Sequence, residues 1–199
     1  MMDKRTKILE AAREVFLRVG YEGARMRDIA EQAEVNKGLL HYYFKTKKAL
    51  FLEVLRGLMH AFYPEVDVII NMDISFLEKM ELFVDKYIDM LSKNLFVPFF
   101  IVQEMNLNTE EFVSFVRQSN PGVDFTAVLE SLQKDVDAGL IRPVNPIHLL
   151  LNVLSLSIFP FIARPGIKQV TQMSDAEFVE FMKLRKRVIT ETLINSLKL

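Results

Sequence analysis

The chain has 199 residues and a mass of 23.1 kDa, half of them hydrophobic, with 16 Phe and 10 Met, enough to bury roughly 70% of its unfolded surface. It contains neither Cys nor Trp, which excludes disulfides, thiol catalysis and thiolate zinc sites and fits a reducing, cytoplasmic setting. The net charge of −1 argues against a nucleic-acid partner only until its distribution is read: residues 1–56 hold 12 Lys+Arg and 8 Asp+Glu, net +4, leaving 13 and 18, net −5, for residues 57–199.

That asymmetry suits a basic head on an acidic body. The first residues are charged and the apolar positions after them are periodic, so no signal peptide is expected. Ile8, Leu9, Ala12, Val15, Phe16 and Val19 recur at helical spacing, which predicts a helix over 5–19 stopped by Gly20. Residues 26–48 carry the most informative pattern. A short helix places Ile29, Ala30 and Ala33 on one face, Glu34-Val35 forms a turn, and Asn36 N-caps a second short helix starting at Lys37. Two short helices joined by a tight turn make a helix-turn-helix, whose second helix can enter the DNA major groove. This second helix turns Lys37, Gly38, His41 and Tyr42 outward and Leu40 and Phe44 inward, with Leu39 between the faces.

Thr46 caps the next helix, whose Leu50, Phe51, Val54, Leu55, Leu58, Met59 and Phe62 keep the period until Pro64 ends it. Three helices with so few apolar residues are marginal alone, so the head should lean on residues 46–62, the expected rigid link to the body. Ser75-x-x-Glu78 is a capping box ahead of Leu77, Met80, Val84, Tyr87, Ile88 and Leu91. Residues 95–106 predict a short buried helix with Pro98 in its first turn. Thr109 caps another, ended by Ser119-Asn120-Pro121-Gly122. Phe125, Val128, Leu129, Leu132 and Val136 follow in a helix stopped by Gly139. Asn145-Pro146 opens a helix over 146–163 that is apolar nearly all round and reads as buried between protein surfaces rather than spanning a membrane. Ser174-x-x-Glu177 is a second capping box, followed by Phe178, Phe181, Met182, Val188, Ile189, Leu193 and Leu197. No alternating strand pattern competes, so the fold class is all-α.

The elements Asp28-Ile29-Ala30, Ala33-x-Val35, Lys37-Gly38-x-Leu40, Tyr43-Phe44, Lys47 and Ala49-Leu50-Phe51 resemble the TetR family of bacterial transcriptional regulators. Two positions depart from its pattern: Met26 stands where the family usually has a Thr that caps the helix and touches phosphate, and Glu34 where it usually has Gly. The resemblance implies a helix-turn-helix DNA-binding domain over 1–48 and an effector-binding and dimerisation domain over 49–199. It implies a ligand-responsive repressor that binds a palindromic, inverted-repeat operator as a homodimer. The last two long helical segments of each chain would pair in a four-helix bundle, and a small apolar or amphipathic effector would tilt residues 46–62 and release the DNA.

Any one of these lysines alone reads as a solvated charge; clustered around the turn they read as an interface. In it Arg27, Tyr43 and Lys47 grip phosphates, with Lys48 near enough to assist. Lys37, His41 and Tyr42 face base edges, Gly38 lets the backbone approach, and Asn36 and Leu39 complete the surface. Effector contacts are assigned to Met59, Phe62 and Phe100 and to the polar residues embedded in apolar segments, Gln103, Glu104 and Asn152, each of which has a bond to a neighbouring helix as its equal alternative. His41, His60 and His148 have no metal-ligand spacing, and no nucleophile–base pair, phosphate loop or dinucleotide fingerprint occurs, so neither enzyme activity nor a cofactor or metal is expected. The rival is a small-molecule or lipid carrier whose first 48 residues serve only as packing.

Overall fold

A computed structural model describes residues 3–119 and 125–198, and among these there are eleven helices and no strand. In chain order they are α1 Lys4–Gly23, α2 Met26–Gln32, α3 Lys37–Tyr43, α4 Lys47–Ile70, α5 Phe76–Ser92, α6 Val97–Leu107, α7 Thr109–Ser119, α8 Phe125–Asp137, α9 Pro146–Ile162, α10 Arg164–Thr171 and α11 Asp175–Leu197. Local signals set most of these boundaries. Gly20 breaks α1 with φ 71°, ψ 176°, a region that side chains with a Cβ avoid. Asn36, Thr46 and Asn145 accept the N–H groups of Leu39, Ala49 and Ile147 at 2.8, 3.0 and 2.9 Å. Both capping boxes form, Ser75 with Glu78 and Ser174 with Glu177, and Gly139 at φ 67° follows the end of α8. The break expected at Asn120-Pro121-Gly122 lies outside the described residues.

Two expectations need correction. α4 does not end at Pro64 but continues to Ile70. Pro64 and His60, whose carbonyl loses its partner, are both exposed, so water can take that bond, while Val66, Ile69 and Ile70 are buried and hold the helix beyond. Thr109 does not cap α7; its hydroxyl turns back to donate to the Met105 carbonyl at 2.7 Å. A further helix, α10, not among those expected, follows α9; it has only eight residues and buries none of them.

The chain forms two compact units, and it passes from the first to the second within α4. The first takes the described residues up to 61 together with 94–119; the second takes 62–93 and 125–198. The first has one core, in which Ile8, Ala12, Val15 and Phe16 of α1 meet Ile29, Leu40, Phe44, Leu50 and Phe51, and to which Phe96, Val97, Phe100, Phe112 and Phe115 also belong. Phe51 is its centre, with ring centroids 4.9 Å from Phe16, 5.0 Å from Tyr21, 5.5 Å from Phe96 and 3.9 Å from Phe100.

In the second unit α5, α9 and α11 pack on one another. Met80, Val84, Ile88 and Leu91 of α5, Leu149, Val153 and Phe161 of α9, and Phe178, Met182, Ile189 and Leu193 of α11 are buried. Lys186 of α11 bridges Asp85 and Asp89 of α5 at 2.8 and 2.6 Å. The buried Asp135 of α8 accepts the Phe76 N–H at 2.8 Å, satisfying one of the free donors at the start of α5. α9 is not covered all round: Ile147, Leu150, Leu151 and Phe159 are exposed, as are Leu184 and Val188 of α11. No single helix among the described residues is long and apolar enough to cross a membrane.

Candidate nucleic-acid interface

The turn between α2 and α3 is built from backbone bonds. The Glu34 N–H donates to the Glu31 carbonyl and the Val35 N–H to the Ala30 carbonyl, both at 3.0 Å, the paired pattern of a Schellman motif. That motif needs a left-handed residue at its crossing point, and Glu34 takes φ 52° there, a conformation that costs a residue with a Cβ energy that Gly avoids. The Glu34 carboxylate pairs with Lys7 of α1. The hydrogen bond and charge of Lys7 hold this carboxyl below the usual glutamate value. Arg25, not Met26, stands at the N-cap of α2 and supplies no side-chain cap.

α3 begins at the Asn36 cap and is anchored from below by Leu40 and Phe44, both buried. Its other side is open: Lys37 and Gly38 are exposed, Tyr42 is 72% exposed and Tyr43 36%, with Leu39 and His41 half-buried. A Cβ at Gly38 would stand 3.3 Å from the Asn36 cap oxygen, so this glycine leaves room for the cap as well as for an approaching surface. The Tyr42 and Tyr43 rings meet edge to face at 5.4 Å, and the Lys45 ammonium lies 5.8 Å from the Tyr42 ring centroid. Lys45 was not singled out from the sequence; its place directly after Phe44, in the α3–α4 connection, was the available signal. Arg27 is exposed on α2, loosely paired with Asp28 at 3.6 Å and Glu31 at 3.8 Å.

Lys47 has a different environment from the one expected. Its ammonium donates to the carbonyls of Tyr21, Glu22 and Ala24 at 2.8, 3.4 and 3.2 Å and lies 4.4 Å from the Tyr21 ring centroid. It ties the end of α1 to the start of α4. Lys48 likewise points to carboxylates, those of Glu104 and Glu111, both at 2.9 Å.

The six residues assigned to an effector are divided between the two units. Met59, Phe100, Gln103 and Glu104 fall in the first unit, Phe62 and Asn152 in the second. Phe100 is fully buried against Phe51, Glu104 is buried and held by Lys48 and by Asn108 at 3.0 Å, and Asn152 is exposed on α9. Phe62 stands among half-buried rings, 6.3 Å from Phe83 and 5.8 Å from Tyr87. The second unit also carries an open groove of about 780 Å³ between the end of α4, the start of α5 and α8. Among the described residues no cluster of His, Asp and Glu could hold a metal ion.

Residues 8–54 match the family of bacterial regulatory proteins described as the tetR family. The head is a TetR-family domain. Over 54 residues the chain is 44% identical to the HTH-type transcriptional regulator QacR of Staphylococcus aureus, a match covering 27% of this chain and 29% of QacR. The chain thus aligns with under a third of that relative's length. A longer match, 25% identical over 160 residues, covers 73% of this chain and 75% of the HTH-type transcriptional regulator YhgD of Bacillus subtilis. Among solved structures, the transcriptional regulator FadR of Bacillus subtilis in complex with stearoyl-CoA superposes with a TM-score of 0.65 at 18% identity, covering 93% of this chain and 97% of that one. The whole chain therefore shares the fold of TetR-family regulators, an N-terminal helix-turn-helix followed by a helical body.

Proposed function

We propose that this chain is a ligand-responsive transcriptional repressor that binds an inverted-repeat operator as a homodimer. The observation that carries the reading is α3: a capped helix held from inside by Leu40 and Phe44, with Lys37, Gly38, His41 and Tyr42 on its open side. Such a helix can lie in the major groove with Lys37 and Tyr42 at base edges, while Arg27, Tyr43 and the added cation Lys45 reach the flanking phosphates. Lys47 contributes by fixing the end of α1, and through it the head, rather than as a free charge.

The exposed apolar residues of α9 and α11 support dimerisation, because two copies could cover each other's. Two heads related by a two-fold axis read half-sites whose centres lie about 34–36 Å apart, or a multiple of that. In the body, the half-buried rings of Phe62, Phe83 and Tyr87 favour an apolar or amphipathic effector, and the FadR complex with stearoyl-CoA makes an acyl chain the first class to try. An effector that favours the non-binding form by about 1–3 kcal/mol is enough to act as a switch.

A gel shift with random duplex DNA at low and moderate salt tests the reading against the carrier alternative. The regulator retards DNA and loses affinity as salt rises; a carrier retards none at either salt.

A further inference from the structure

Residues 94–119 are far from α1–α3 in sequence, yet they complete the same core. Phe51 of α4 packs against Phe16 and Tyr21 of the head and against Phe96 and Phe100, and these rings also meet one another directly, Phe16 with Phe96 at 6.0 Å and Tyr21 with Phe100 at 5.0 Å. Two charged connections run alongside these rings. Lys48 reaches Glu104 of α6 and Glu111 of α7 with one ammonium. Arg5 of α1 pairs with Glu53 of α4, Glu53 pairs with Arg56 at 3.1 Å, and the Arg56 guanidinium lies 5.1 Å from the Phe115 ring centroid of α7. Burial works against the Lys48 charge, but the two carboxylates outweigh it and hold the ammonium above the ordinary lysine value.

We propose that α6 and α7 belong to the DNA-reading unit, which is discontinuous, and that they open and close in concert with the helix-turn-helix through the Lys48–Glu104–Glu111 tie and the ring cluster around Phe51. Glu104 is 7% exposed, so loss of Lys48 strands a buried carboxylate and frees α6 from α4. Because α3 is anchored on the same core through Leu40 and Phe44, whatever displaces α6 or α7 reaches the recognition helix through the first turns of α4 and the direct Tyr21–Phe100 contact. By reciprocity, whatever steadies α3 steadies α6 and α7. The part that concerns DNA rests on the regulator reading above; the cooperative unit does not.

Hydrogen exchange on the full-length chain tests this. Lys48→Met should speed exchange of the amides in 29–43 and in 97–119 by one common factor of about ten. Glu111→Gln, which removes only one of the two carboxylates, should do the same to a smaller extent and serves if the first variant fails to fold. Lys86→Met, which removes the exposed pair with Glu65 in the second unit, should leave both segments unchanged. Random duplex DNA at low salt should slow exchange in 97–119 together with 29–43. Faster exchange in 97–119 while 29–43 keeps its protection would overturn the proposal, as would DNA protection confined to 29–43. If DNA does not bind but the common factor is observed, the discontinuous unit stands and the regulator reading falls.

Discussion

Replacement of Asn36 by Ala removes the cap of α3, the proposed recognition helix, and no buried contact, since Asn36 is exposed. The Asn36 oxygen accepts the Leu39 N–H at 2.8 Å, and loss of such a cap costs about 1 kcal/mol. α3 is only seven residues long and carries Gly38 in its first turn, so little intrinsic helicity offsets that loss. If the whole cost falls on α3, its ordered population relative to the frayed form drops about fivefold in each head. Two heads binding together then lose up to about thirtyfold in operator affinity. Asn36→Asp separates cap from contact, since it keeps the acceptor and adds a negative charge on the side proposed to face DNA. Urea unfolding followed by circular dichroism and anisotropy titrations with duplex DNA measure the two effects. Asn36→Ala should lose both stability and affinity, whereas Asn36→Asp should keep stability and lose affinity, most at low salt. An unchanged urea midpoint for Asn36→Ala, or full affinity despite a lowered midpoint, would refute the chain of reasoning from cap to function.

Lys47→Ala frees three carbonyls at the end of α1 and should lower the melting temperature and weaken binding to all DNA alike, while Lys37→Ala should leave the melting temperature unchanged and alter sequence preference; scanning calorimetry and competition binding distinguish them. Val188→Arg, at a residue 52% exposed, should give a folded monomer by light scattering with weakened operator binding, and a dimer that survives it would place the interface elsewhere. Both capping boxes hold their glutamates, Glu78 and Glu177, below the ordinary value of 4.5 through hydrogen bonds to Ser75 and Ser174. Their contribution is present above that value and is lost as pH falls through the lower folded value, so stability should fall on acidification below about pH 4.5. Glu78→Gln combined with Glu177→Gln should flatten that part of the profile in urea titrations at several pH values.

Elements whose signals are local were legible in the sequence. Asn36, Thr46, Asn145 and the two capping boxes each act within three residues, and the helix-turn-helix followed from them together with the spacing of Ile29, Ala30, Leu40 and Phe44. The turn at Glu34 was legible as an oddity, and the structure gives it a geometry, φ 52° with Lys7 alongside. What escaped depends on residues distant in the chain. The carbonyls that occupy Lys47 lie 23 to 26 residues away, and the partner of Glu104 is Lys48 on another helix. For that reason Glu104 read equally well as a ligand contact or as a bonded core residue. Phe100 carries no mark in sequence that separates a core ring from a ligand wall; only its close packing on Phe51 does. Pro64 was read as a stop because propensity favours that reading, but burial of Ile69 and Ile70 outweighs the missing hydrogen bond.

The most direct test of the central claim, that the open side of α3 reads DNA from a two-fold pair of heads, is to sequence the duplex fragments that the purified chain retains from a random pool. The account predicts enrichment of an inverted repeat with half-site centres about one helical turn apart, or a multiple of that, and a shift in the half-site sequence when Lys37 is replaced. Fragments with no common sequence, or a motif that Lys37→Ala leaves untouched, would contradict it.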